Sequence, residues 1–187
     1  MRRLVCYLCV TAFATLLASP TAAQNPDDIV KRDEGTWSAE LTVHSPDGEM
    51  QMTGTETNRL VGTWMISDFE GEFMGTQFAG HSVYGYDEEK EKIVGTWVDN
   101  MPQPGIPRRM AIMEGEYDKE MDAVVSYLDS YGMTGEKVRE KHVVEYDGDD
   151  SRTMTMYQQD GEEWTVMMVI KYTRIKGTGQ ESVKVDN

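Results

Sequence analysis

The clearest pattern in the chain is an alternation with a period of two. Trp164, Val166, Met168, Ile170 and Tyr172 occupy every second position of one run, with Thr165, Met167, Val169 and Lys171 between them. That is the spacing of a β-strand, in which successive side chains point to opposite faces. Runs of the same kind, rich in Val, Thr, Tyr, Trp and Met, cover 36–44, 51–60, 63–69, 77–86, 92–98, 108–116, 123–129, 137–146, 151–158 and 164–174. Turn-forming residues separate them: Ser45-Pro46-Asp47-Gly48, Glu70-Gly71, the acidic stretch 88–91, a loop with Pro102, Pro104 and Pro107, Asp147-Gly148-Asp149, and Asp160-Gly161. Short turns between alternating runs mark hairpins.

About ten strands joined in this way predict an antiparallel meander. A meander of that length closes on itself, which removes exposed edges. The expected fold is therefore all-β: a single antiparallel up-and-down β-barrel over 35–176. A triplet recurs on its walls, as Gly35-Thr36-Trp37, Gly62-Thr63-Trp64 and Gly95-Thr96-Trp97. Each Gly leaves room for a close neighbour, and the Trp two residues on shares its face. All three indoles are expected to look inward. Before the barrel, 24–34 reads as a short helical segment. Asn25 is its cap, Pro26 takes the first position, and Asp27 and Asp28 sit at the positive end of the dipole. Ile29 and Val30 can then face inward, with the helix across a barrel mouth. The Gly-rich polar tail 177–187 is expected to be loose.

The N-terminus adds an address. Met1-Arg2-Arg3 precedes an uncharged apolar run from Leu4 to Ala18, followed by Ser19-Pro20-Thr21-Ala22-Ala23. This order predicts a secretory signal peptide over 1–23 and an exported product, periplasmic or extracellular. The apolar run is shorter than the roughly 20 residues that span a bilayer, and no later run is long enough, so no membrane span is expected in the mature chain. Cys6 and Cys9 leave with the leader, so disulfides contribute nothing. The whole chain carries a formal charge of −15, and loss of Arg2 and Arg3 makes the remainder more acidic. Such a surface repels nucleic acid and favours solubility.

Several of these features occur in one order. Gly35-Thr36-Trp37 opens the first strand. Phe78-Ala79-Gly80 precedes Tyr84-Gly85-Tyr86-Asp87, Thr96-Trp97 and Asp99 follow, and Tyr172 and Arg174 end the last strand. In this the chain resembles the exported bacterial family DUF1579, from Gly35 to about Arg174. That resemblance implies the fold and no agreed activity. More loosely, the chain is similar to lipocalin-like barrels, which pack a late Arg over an early Trp. The resemblance implies a structural pair, Trp37 with Arg174, worth about 0.5–2 kcal/mol as a cation–π contact. On that basis replacing Arg174 is expected to cost more than replacing Arg152.

Candidate chemistry is sparse. His44, His81 and His142 lie on three strands without metal-ligand spacing, and no metal or cofactor is expected. Nitrobindin-like haem barrels use a late-strand His, a resemblance that rests here on His142 alone. Asp87 reads as a turn residue and Asp99 as a cap on the Pro-rich loop. Asp147-Gly148-Asp149-Asp150 lacks the spacing and closing Glu of a calcium loop. No nucleophile elbow or phosphate loop is present, so no catalytic residue is assigned. What remains is the interior. A barrel of this size either fills with its own side chains or holds one small guest. The expected lining residues for an apolar or amphipathic guest are Trp64, Phe78, Tyr84, Trp97 and Met168. The alternatives are a solid cell-envelope interaction module, and an unfamiliar enzyme using Asp99 with His81 or His142 at a cavity mouth.

Overall fold

The computed structural model describes residues 25–73, 75–101, 110–132 and 135–176. Residues 1–23, expected to form a leader, most of the Pro-rich loop and the tail 177–187 lie outside the described residues. A six-residue helix, α1 (Pro26–Lys31), comes first, with the Asn25 side chain accepting from the Asp27 amide at 3.1 Å. Ten strands follow: β1 (Gly35–Ser45), β2 (Gly48–Val61), β3 (Trp64–Phe73), β4 (Thr76–Asp87), β5 (Lys92–Asp99), β6 (Ala111–Asp118), β7 (Ala123–Tyr131), β8 (Lys137–Tyr146), β9 (Ser151–Asp160) and β10 (Glu163–Arg174). Each pairs antiparallel with its neighbours in sequence. β1 closes on β10, from Trp37 opposite Arg174 to Val43 opposite Met168. The expected meander is thus a closed ten-stranded barrel. Among the described residues no helix is long and apolar enough to cross a membrane.

The two barrel ends differ. At one end lie α1 and the β2–β3, β4–β5, β6–β7 and β8–β9 turns, where Ile29 and Val30 are buried. Arg32, just past the helix, reaches the β6–β7 turn, where its guanidinium meets both Asp122 oxygens at 2.5 and 3.1 Å. It also lies 4.0 Å from the Tyr146 ring centroid. The short helix is therefore tied down at its C-terminal end, and it floors the barrel. The opposite end carries the β1–β2 and β9–β10 turns.

Three expectations need correction. Glu70-Gly71 is not a turn: β3 runs through it to Phe73, with Gly71 opposite Gly54 and Phe78. This glycine supplies space rather than punctuation. A Cβ there would meet the Thr53 carbonyl at 2.9 Å and the Phe69 ring at 3.3 Å. Trp64 does not look inward. Met65 is fully buried on the inner face, so its neighbour Trp64 faces out, 39% exposed, with its ring against Gly85. Finally, the single face expected along β10 is broken. The register shifts between Val166 and Met168, so the extra residue moves the alternation by one. Met168, Ile170 and Tyr172 face the interior. Trp164 lies outside, 6.1 Å from Tyr127 and 5.0 Å from the Lys141 ammonium.

Inside, Trp37, Ala39, Leu41, Phe69, Ile170 and Tyr172 form the buried core. An aromatic wall adjoins it. Phe69 meets Phe78 edge-on at 5.8 Å, and Phe78 stacks with Trp97 at 6.4 Å. The Trp97 ring occupies the space a side chain at Gly80 would need, since a Cβ there would lie 2.1 Å from Trp97 Cζ2. Gly80→Ala is therefore expected to displace Trp97 and cost about 1–3 kcal/mol, as overpacking does. Urea denaturation reads the cost, and unchanged stability would contradict this packing.

Candidate functional site

The interior encloses a cavity of about 1110 Å³. Its floor is polar and its walls are largely apolar, and each region follows from which residues fall at inward positions. The floor centres on Asp33, in the link between α1 and β1. Its backbone carbonyl accepts from Trp37 Nε1 at 2.8 Å and from Asn58 Nδ2 at 2.9 Å. Its carboxylate accepts from the Tyr84 hydroxyl at 2.8 Å and the Tyr146 hydroxyl at 3.4 Å, and forms an ion pair with Arg152. Arg152 also pairs with Glu56, whose carboxylate takes a 2.6 Å hydrogen bond from Asn58. All three charged side chains are buried.

Rings surround the guanidinium. Arg152 lies 4.5 Å from the centroids of both Trp37 and Tyr172. Arg174 lies 4.0 Å over Trp37 and donates to the backbone carbonyls of Arg32, Glu34 and Asp149. Trp37 and Arg174 thus meet, but Trp37 has a second cation over it that the sequence did not reveal. Arg152 is the buried hub, not an ordinary strand residue, so the expected ranking of the two arginines reverses. Burial pushes the Asp33 carboxyl above its usual range; Arg152 opposes this and Glu56 adds to it. Burial would lower the Arg152 pKa, but Asp33 and Glu56 outweigh it and hold the guanidinium charged. Burial also raises the hydroxyls of Tyr84, Tyr146 and Tyr172 well above the usual phenol value, so they act as hydrogen-bond donors.

Above the floor, Phe78, Trp97, Met113, Met154, Met156 and Met168 contribute to the wall. Of the lining residues expected from the sequence, Phe78, Tyr84, Trp97 and Met168 are brought together around the cavity, and Trp64 is excluded. Tyr84 belongs to the polar floor. The histidines separate: His44 pairs with Glu49 at 3.3 Å and His81 with Asp68 at 2.6 Å, while only His142 lines the cavity. Asp99 sits on the lining too, but its oxygens accept from Trp97 Nε1 and the Met101 amide, both at 2.9 Å, so it is engaged in fixing the ring and the loop. Asp87 accepts from the amides of Glu89 and Lys90 at 3.0 Å and closes its turn. Among the described residues no three metal-ligating side chains cluster.

The charged and amide side chains of the interior not expected from the sequence are Asp33, Glu56, Asn58, Glu140 and Arg152. Four of them carried a signal. Glu56 and Asn58 continue the face of Met52, Arg152 that of Met154, and Glu140 that of Val144 and Tyr146. A polar residue at an inward parity is the mark of a buried network. Asp33 follows the helix and belongs to no periodic run, so nothing local points to it.

Fold and interior together define a class: a closed, antiparallel ten-stranded barrel floored by a helix and enclosing an apolar-walled cavity. That architecture is compatible with a lipocalin-like barrel. The sequence matches the family described as "Protein of unknown function (DUF1579)" over residues 22–174, and the chain belongs to that family. Among curated proteins, none matches it.

Two outcomes follow from the floor. Arg152→Ala leaves two buried carboxylates unpaired and is expected to cost about 3–5 kcal/mol. Arg174→Ala removes one cation–π contact, three hydrogen bonds to backbone carbonyls and an ion pair with Asp150 at a solvent-accessible edge, and is expected to cost about 1–2 kcal/mol. Chemical denaturation compares them, and the opposite order would contradict the assignment. The second outcome concerns pH. An acid whose pKa is higher folded than unfolded holds its proton more tightly in the native state. Its contribution to stability is therefore complete below the ordinary carboxylate value and falls as pH rises to the raised value. Stability of Asp33→Asn measured against pH should lack this fall. An identical pH profile in both proteins would show that Asp33 does not titrate in this way.

Proposed function

We propose that this protein is an exported barrel that binds a small apolar or amphipathic molecule in its interior. The observation that carries the reading is the cavity of about 1110 Å³ between the polar floor and the far end of the barrel. Ligand sites are concave, mostly apolar, and fixed by a few placed polar groups. The wall of aromatic and methionine side chains has that character. Methionine adds a flexible, polarizable surface that adapts to a guest. Ring edges at Phe78 and Trp97 add fixed apolar area. The floor argues in the same direction, because Arg152 is engaged by Asp33 and Glu56 there, and most side chains bounding the space above are apolar. Export is supported by the leader-like order of residues 1–23, basic, then apolar, then small.

One preparation tests both parts. Native mass spectrometry of protein purified from its own host is expected to show a chain beginning at Gln24 and carrying an added small mass that denaturation releases. In vitro, the neutral probe 1-N-phenylnaphthylamine should bind with one-to-one stoichiometry, and Met168→Trp, which adds bulk to the wall, should weaken it severalfold by taking part of the space for the guest. An intact Met1 on protein from the cytoplasm would overturn export. Absence of any bound mass, with probe binding unchanged by the added bulk at Met168, would overturn the ligand reading.

A further inference from the structure

The wall carries a polar patch that the floor does not use. Glu140 and His142 lie two residues apart on β8, both facing the cavity and both buried, 7% and 5% exposed. His142 Nε2 is 3.1 Å from Glu140 Oε2. His142 Nδ1 is buried with no hydrogen-bond partner among the described residues. Across the β7–β8 ladder, Ser126 is the register partner of His142, and it too is buried and lines the cavity. Facing inward strand positions place their Cβ atoms about 4.5–5.5 Å apart. Met156, the register partner of His142 on β9, and Leu128, the partner of Glu140 on β7, border the patch with apolar surface.

A buried polar nitrogen without a partner costs about 1–3 kcal/mol. It is the kind of group that fixes one end of a guest in an otherwise apolar site. We infer that the His142–Glu140–Ser126 patch holds the head group of the guest, and that this head is a hydroxyl on an apolar body. The inference rests on the ligand reading above and specifies the class of ligand. The choice of hydroxyl follows from donor and acceptor accounting. Glu140 accepts from Nε2, which leaves Nδ1 as a lone pair in the neutral ring and as an N–H in the doubly protonated ring. A hydroxyl satisfies either form, because it donates to the first and accepts from the second. Ser126 offers the same two-way chemistry. A carboxylate only accepts and brings a negative charge. The interior already holds Asp33, Glu56 and Glu140 against the one guanidinium of Arg152, which two of those carboxylates occupy. An ammonium only donates, so it suits the neutral ring alone.

Three probes of equal chain length separate these cases: 1-decanol, decanoate and decylamine, each titrated against bound 1-N-phenylnaphthylamine. Decanol is expected to displace the probe at a concentration at least about tenfold below decanoate, since the acid must bury an unpaired charge. His142→Phe should erase most of that preference, read as the ratio of decanol to decanoate competition after probe affinity has been measured for the variant itself. Ser126→Ala should reduce it in the same direction, and it provides a second reading if His142→Phe fails to fold. Decanoate or decylamine binding as tightly as decanol would overturn the hydroxyl assignment while leaving cavity binding intact. A full preference for decanol in both variants would overturn the patch. If the probe does not bind the parent protein, the ligand reading falls, and this inference falls with it.

Discussion

Two carboxylates and a guanidinium buried together, Asp33 and Glu56 around Arg152, set the terms for the rest of this barrel. Removing such charges from water costs several kcal/mol per ion, recovered only where the geometry satisfies each group. The satisfaction here comes from many directions. Tyr84 and Tyr146 donate to Asp33, Asn58 donates to Glu56, and Trp37 and Tyr172 present ring faces to Arg152. These partners come from β1, β2, β4, β8, β9 and β10 and from the link after α1. The network therefore exists only once the cylinder has closed. It joins the first strand to the last at the end where the seam between β1 and β10 begins.

The same arrangement decides what the interior can be. Because Asp33, Glu56 and Arg152 are gathered at the floor, the space above is bounded mainly by Phe, Trp, Leu, Ile and Met side chains, with Glu140, His142 and a few serines among them. Glycines inside strands let the large rings lie flat along the wall. Trp97 covers Gly80 and Phe69 covers Gly54, so aromatic surface lines the wall instead of projecting across it. The register shift in β10 has a comparable effect. It turns Met168, Ile170 and Tyr172 inward while Trp164 is carried outside, into a patch with Tyr127 and Lys141. A regular strand would have placed the bulky indole at position 164 on the face shared by Met168, and the lumen would be smaller.

Much of the fold was legible in the sequence, because hairpin-linked strands leave a local record: a period of two, then a turn. Every strand was expected within a few residues, and the closing contact of Trp37 with Arg174 followed from a family resemblance. The failures have physical causes. Trp64 was placed inward by analogy with Trp37 and Trp97, but Gly62 lies in the turn with φ +65°, so the triplet straddles the start of β3 and Met65 takes the inner position. Gly71 was read as a turn because a glycine that makes room for a ring looks the same in sequence as one that bends the chain. The register shift left no mark, since both faces of β10 carry apolar residues. Glu56, Arg152 and Glu140 are polar residues at inward parity, set among apolar neighbours whose pattern dominates each strand. Asp33 gains its importance entirely from residues remote in the chain.

A crystal structure of the protein isolated from its own host, without added ligand, gives the most direct view of the lumen. Continuous density for a guest is expected between Trp97 and Met168, with its polar end beside His142, as binding in the lumen requires. An interior filled by the protein's own side chains, with Trp97 and Met168 in contact across it, would contradict it.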